Sequence, residues 1–359
     1  MPARLRRLLV QLGGFALGGV LLYLALRGVD FAAVGVALRQ ADYRWLLPFA
    51  AITLLSHLLR AWRWQVLLEA LPVPPSASPR ISLRTSFYSL MIGYAVNAVV
   101  PRVGELVRAT NLTKREDRPL SGVLGTVFVG RTLDTLVVAL ALLSVFGLFF
   151  DRFAIIEEVF LEPALAQLGR LPLLLLVGVG IGVVVLLGVG WWLVVRQSGR
   201  PGGGWQDRVR PALETFKAGL LTVVRARQRG VLVGTTVAMW FCYTLMAYIP
   251  LVMLDLTEPY GLSLLDAYGI MVLGSLGVAV PSPGGAGSYH YVAVQTLVHL
   301  FSVPTNPAVA YAVITHAAQQ LLFILTGVAC WLLQGARVPS VKEAAEVEPE
   351  VESVPGKAR

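Results

Sequence analysis

The sequence predicts an all-α integral membrane protein, with six spanning helices, two re-entrant helical hairpins between them, and an inverted repeat of its two halves. Three observations lead there: an oily composition, apolar windows of membrane length, and a charge pattern that segregates by side. Apolar residues make up 56% of the 359 and charged residues only 14%, with a mean hydropathy of +0.70. A soluble domain does not carry that balance. Crossing a hydrocarbon core of about 30 Å takes about 20 helical residues. The windows 8–26, 45–68, 120–150, 171–195, 231–254 and 307–333 are long enough. The first has basic flanks like a signal peptide but no small-residue cleavage site, so it is expected to stay as a helix.

The net charge of +9 is not a nucleic-acid signal, because it follows the membrane sides. With Arg4, Arg6 and Arg7 placed in the cytoplasm, the inner segments hold Arg60, Arg63, Arg80, Arg84, the basic stretches 102–118 and 196–229, and Arg337 with Lys342. The outer segments hold only Arg27, Arg39, Arg44, Arg152 and Arg170, beside Asp151, Glu157, Glu158, Glu162, Asp255 and Glu258. The positive-inside rule then puts both termini in the cytoplasm of a multi-pass cell (inner) membrane protein. Residues 1–337 read as one polytopic domain, with repeat halves of about 8–150 and 171–337. The segment 338–359, rich in Glu, Val and Pro, reads as a disordered cytoplasmic tail. A second basic run, 207–229, shows one apolar face and is expected to lie on the anionic inner leaflet.

Cys242 and Cys330 fall in apolar windows, and His57, His290, His299 and His316 have no ligand spacing. No metal, cofactor or catalytic residue is expected, and the chain is read as a non-enzyme.

Two apolar stretches, 86–100 and 264–280, are too short or too interrupted to be spans. Each stops at a proline followed three residues later by glycine, in AVVPRVGEL and GVAVPSPGGAGSYHY. Proline removes a backbone donor and glycine accepts unusual dihedrals, so each is a helix break. If each stretch returns to the side it came from, the order span, span, hairpin, span recurs upside down, with Pro101 and Pro281 half the chain apart. Lipid cannot satisfy broken backbone, so both breaks must line a protein interior. Helices restarting near Glu105 or Leu106, and near Ala286 or Ser288, would point positive N-terminal ends into it, which suits an anion.

In the first hairpin Arg102, Glu105 and Arg108 share a helical face, with Asn97 just before the break. They read either as an internal salt bridge or as a phosphate clamp, because a guanidinium fork binds phosphate oxygens in pairs. Arg131 and Asp134 stand three apart in a long apolar helix and read either as a mutual pair or as a substrate or coupling site. Around the second break, Ser282, Gly284, Gly285, Ser288 and Tyr289 offer hydroxyls and a backbone nest. His290 reads as an interior group. On the last span, His316, Gln319 and Gln320 either close the cavity opposite Arg131 and Asp134 or bond between helices. Trp62, Arg63 and Trp64 read as an interfacial anchor, the tryptophans at headgroup level and the arginine snorkelling to water.

Taken together, Asn97, Pro101, Arg102, Gly104, Glu105 and Arg108, then Arg131 with Asp134, then Pro281, Pro283, Gly284, Gly285 and Gly287 resemble the flippase-like transmembrane region of lysylphosphatidylglycerol synthetases. The resemblance spans residues 8–335. It implies a polytopic lipid-handling domain that moves lipid between leaflets. The soluble aminoacyl-transferase domain of those synthetases has no counterpart in the short acidic tail, so lysyl transfer is not expected. The expected function is a lipid translocase that carries an anionic or aminoacylated phospholipid, or a polyprenyl-phosphate-linked lipid, through a central polar cavity. A membrane transferase acting on a lipid-linked donor and a scaffold for a separate synthase are the alternatives. Expected partners are membrane lipids, held by an anionic headgroup; a separate lipid-modifying enzyme and a second copy of the chain are the candidate protein partners.

Overall fold

The computed structural model describes residues 19–20, 22–23, 25–71, 78, 80–99, 103–161, 218, 221–279 and 285–335. Every element among them is helical. Four helices are long and apolar enough to cross a membrane: Tyr43–Glu69, Leu120–Leu148, Arg229–Met253 and Thr305–Leu333. They match four of the six expected windows. The window 171–195, most of 8–26, the basic run through residue 217 and the tail 338–359 lie outside the described residues.

A short helix, α1 (Phe31–Gln40), opens on Asp30, whose carboxylate accepts from the backbone N–H groups of Ala32 and Ala33. Such a cap satisfies donors that a helix start leaves bare. The first long helix is α2 (Leu46–Glu69). It is followed by α3 (Leu83–Val99), α4 (Gly104–Glu116) and the long α5 (Leu120–Leu148). The later half holds α6 (Arg229–Met253), α7 (Leu264–Ala279), α8 (Ser288–Gln295, continued by a π turn over Thr296–Leu300) and α9 (Thr305–Leu333). The lengths run 24, 17, 13 and 29 residues in the first half and 25, 16, 8 and 29 in the second, before the π turn is added.

Each short pair folds back on itself. In the first, Gly93 of α3 lies against Gly104 of α4, and a Cβ on Gly93 would stand 2.7 Å from the Gly104 carbonyl oxygen. Further along, the Asn111 amide donates to Ser89 Oγ at 2.8 Å, which fixes the two helices as antiparallel. In the second, a Cβ on Gly277 would meet the Ser288 carbonyl oxygen at 2.6 Å. Backbone-to-backbone approach of this kind is what small residues permit where helices pack within a bilayer. The break residues Pro101 and Pro281 lie outside the described residues; the helices beyond them begin at Gly104 and Ser288, as the sequence predicts to within a residue.

The long helices hold the pairs in place. Helix α2 packs antiparallel on α6, with Phe49 against Met246 and Ile249 at one end and Leu67 against Leu232 at the other. Helix α9 nests on α3, because Gly327 leaves room for Ala95 and for the Met91 backbone, whose oxygen stands 2.5 Å from where a Cβ would be. The end of α9 is tied to α4 by a reciprocal amide pair, Asn111 with Gln334, 3.2 Å in each direction. The largest apolar core among the described residues joins α1 and the end of α5 to the second half, around Leu251, Leu273, Leu297 and Tyr311.

Candidate functional site

Charged side chains in an apolar helix are costly unless paired. One turn of α2, one of α5 and the start of α4 solve that problem jointly. Asp134 of α5 accepts from Arg60 Nη1 at 2.5 Å and from Arg63 Nη2 at 2.5 Å, one carboxylate oxygen to each. Glu105, in the first turn of α4, pairs with Arg108 one turn on, at 2.5 Å, and with Arg131 of α5. Four guanidinium groups thus share two carboxylates. Arg63 and Arg108 are almost wholly buried, at 2% and 8% exposed, whereas the Arg131 side chain is half exposed.

Neutral groups complete the cluster. Arg60 donates to the Tyr243 hydroxyl at 2.8 Å and Arg63 to Thr236 Oγ1 at 3.2 Å, both on α6. The Arg108 guanidinium lies over the Trp64 ring, 5.1 Å from its centroid. The indole N–H of Trp64 donates to Thr126 Oγ1 at 3.0 Å. This ring therefore offers its face to a cation and its edge to a hydroxyl. All four arginines line one small cavity of about 20 Å³, with room for about one water.

Beside the cluster, among the described residues, an apolar cleft of about 690 Å³ opens between α5 and α6. Leu133, Val137 and Leu140 form one wall, Val233, Val237 and Trp240 the other. Thr236 belongs to both places: it lines the cleft and accepts the Arg63 hydrogen bond.

This geometry removes one of two open readings and corrects two sequence expectations. Arg131 and Asp134 are not each other's partner, because α4 and α2 supply closer ones in Glu105 and the Arg60–Arg63 pair. Arg63 and Trp64 do not anchor the chain at an interface; both are buried, and of that motif only Trp62 is exposed, at 43%. Arg60 and Arg63 are not loop charges either, since α2 continues through them to Glu69. The signal that could have found them is their i, i+3 spacing inside an unbroken apolar run, which places two cations on one helix face.

The remaining candidates divide by hairpin. Asn97 Oδ1 accepts from the Gly104 backbone N–H at 2.7 Å, so it staples the first pair across its break. Arg102, Ser282 and Gly284 lie outside the described residues. Gly285 is left-handed at φ +78, with His316 Nε2 4.0 Å from where its Cβ would stand. Tyr289 stacks on His316 at 5.7 Å, and His290 meets the same imidazole edge-on at 4.8 Å. Ser288 is buried at the N-terminus of α8. Gln320 Nε2 stands 3.3 Å from His316 Nε2. The second hairpin thus gathers Gly285, Tyr289 and His290 with His316 of α9 into a group of aromatic and imidazole rings, distinct in chemistry from the arginine cluster.

Residues 11–327 match the lysylphosphatidylglycerol synthase transmembrane region. The chain belongs to that family. A curated relative from Haloferax volcanii, named glycosyltransferase AglD, is 27% identical over 365 aligned residues, covering 96% of this chain and 58% of its own length. The chain therefore spans little more than half of that relative. No solved structure matches it. The non-enzyme expectation is corrected by this comparison, since the relative is by name an enzyme and the family is named for a synthase.

Proposed function

We propose that this membrane domain binds the phosphate of an anionic phospholipid or a polyprenyl-phosphate-linked lipid at the arginine cluster and carries it between leaflets. One observation supports this above the others: Arg60, Arg63, Arg108 and Arg131 converge on a single cavity while sharing, among the described residues, only Glu105 and Asp134. Guanidinium forks bind phosphate oxygens in pairs, and the two carboxylates stand where phosphate oxygens would. A lipid head would enter by displacing Glu105 from Arg131, the most exposed of the four, while its hydrocarbon chain stays in the neighbouring apolar cleft. In this reading α3–α4 and α7–α8 are re-entrant hairpins of an inverted repeat, and the matching helix lengths support it.

The test is reconstitution of the full chain into vesicles carrying tail-labelled lipids, with quenching of the outer leaflet as the readout. Native protein should accelerate exchange of an anionic lipid, and Arg60→Gln should lower that rate by about tenfold or more, as loss of a charge-assisted contact worth about 1.5–3 kcal/mol implies. Exchange no faster than in protein-free vesicles refutes the proposal.

A second reading is favoured by the relative named a glycosyltransferase: the same cluster holds the phosphate of a lipid-linked donor during group transfer. A lipid product formed only with purified protein and a lipid-phosphate sugar donor would select this reading.

A further inference from the structure

We propose that the head bound at the arginine cluster carries two negative charges on phosphate, as in a phosphomonoester or a pyrophosphate-linked lipid, rather than the single charge of a phosphodiester. This rests on the headgroup reading above and narrows it.

The ground is an imbalance within the cluster. Arg60, Arg63, Arg108 and Arg131 face Glu105 and Asp134, so four positive charges meet two negative ones. Among the described residues two positive charges are left over. Among the described residues no third carboxylate pairs with any of the four arginines; the other polar groups at hand are the Tyr243 phenol, the Thr236 and Thr126 hydroxyls and the Trp64 indole. Tyr94 and His57 stand at its edge, their rings tilted to each other with centroids 4.9 Å apart. None of these supplies a negative charge at neutral pH. Uncompensated charge in a bilayer interior is unfavourable, so the site is built for a ligand that brings the missing anion.

The donors agree with the charges. Arg60 Nε and Arg108 Nε are buried and have no hydrogen-bond partner among the described residues. One belongs to the pair on Asp134 and the other to the pair on Glu105, so each half of the cluster keeps an unused N–H. A phosphodiester would leave one excess charge inside. A lysylated head would add positive charge of its own. A phosphomonoester carries about −1.5 to −2 at pH 7, which matches the charge excess, and its three acceptor oxygens are enough for both unused N–H groups.

The experiment gives the full-length protein five tail-labelled lipids in parallel: phosphatidic acid, polyprenyl phosphate, a polyprenyl diphosphate-linked sugar, phosphatidylglycerol and lysyl-phosphatidylglycerol. Equilibrium binding is read in detergent and leaflet exchange in phosphatidylcholine vesicles. Near pH 8 at least one doubly charged class should bind about tenfold tighter than phosphatidylglycerol. A preference for the monoesters should shrink near pH 5.5, below their second ionisation at about 6, whereas a preference for the diphosphate should not. Those two arms therefore distinguish a monoester from a pyrophosphate ligand. Arg131→Gln leaves one excess charge, and should weaken binding of the doubly charged class more than that of phosphatidylglycerol, so that the preference collapses. That side chain is half exposed, so the fold tolerates the change, checked by helical circular dichroism and elution volume. Equal affinity for singly and doubly charged heads near pH 8 overturns the inference and leaves the headgroup reading standing. Absence of protein-dependent binding for all five lipids ends the headgroup reading and this inference with it.

Discussion

Replacing Asp134 with asparagine keeps the shape of the side chain and removes the anion that two buried arginines share. Both contacts are 2.5 Å, and the Arg63, Arg60 and Asp134 side chains are 3%, 15% and 18% exposed, so solvent screens the pairs little. With charge centres about 4 Å apart and an effective dielectric near 20, each pair is worth about 4 kcal/mol of gross attraction. Losing both forfeits about 8 kcal/mol gross, offset by several kcal/mol because Asp134 no longer has to be desolvated. The net destabilisation expected is about 3–5 kcal/mol, the range for removing one partner from a buried ion pair. Unfolding of the purified protein by SDS in mixed micelles, followed by tryptophan fluorescence, measures it. Asp134→Asn combined with Arg63→Met should recover part of the loss, with a coupling of about 1–3 kcal/mol. A loss under about 1 kcal/mol, the value of a screened surface pair, would refute the buried-cluster argument. So would strict additivity of the two changes.

Three further outcomes follow from the packing. Gly104→Ala drives a methyl group into the Gly93 carbonyl and the Asn97 side chain, and should cost about 1–3 kcal/mol in the same unfolding assay; Gly234→Ala, which meets nothing within 4 Å among the described residues, should be neutral or gain up to about 1 kcal/mol. Asn97→Ala removes the acceptor for the Gly104 amide, so deuterium exchange at the start of α4 should speed up and stability should fall by about 1 kcal/mol. Trp64→Phe keeps a ring under Arg108 but loses the bond to Thr126, which should cost about 1–2 kcal/mol and remove a blue-shifted component from the fluorescence spectrum; loss of a red-shifted component instead would place that indole in water.

The legible and illegible parts of the site divide by how far apart in the chain the partners stand. Glu105 with Arg108 is a contact within one helical turn, and periodicity alone proposes it. The Arg131–Asp134 pair looks equally good by spacing, yet the fold separates them. Each finds a partner from another helix, Glu105 for one and the Arg60–Arg63 face for the other. Arg63 misleads for the same reason. Flanked by tryptophans near the end of an apolar window, it has the local signature of an interfacial anchor, and only Asp134, 71 positions later, reveals that it is buried. His316 likewise joins Tyr289 and His290 of the second hairpin through packing of α9 on α8.

Hydropathy and helix-breaking residues are properties of short stretches, so the sequence alone determined the all-helical membrane class, the four described long helices to within a few residues, and the two paired short helices on either side of Pro101 and Pro281. It also marked Glu105, Arg108, Arg131 and Asp134 as the charges that needed an explanation. Only the tertiary structure decided which cation each carboxylate holds, that Arg60 and Arg63 belong with them, and that Trp64 closes the cluster. Spacing reports which side chains share a face of one helix; which face of another helix lies opposite depends on how glycines such as Gly93, Gly104 and Gly327 let backbones approach, and that packing has no local signature.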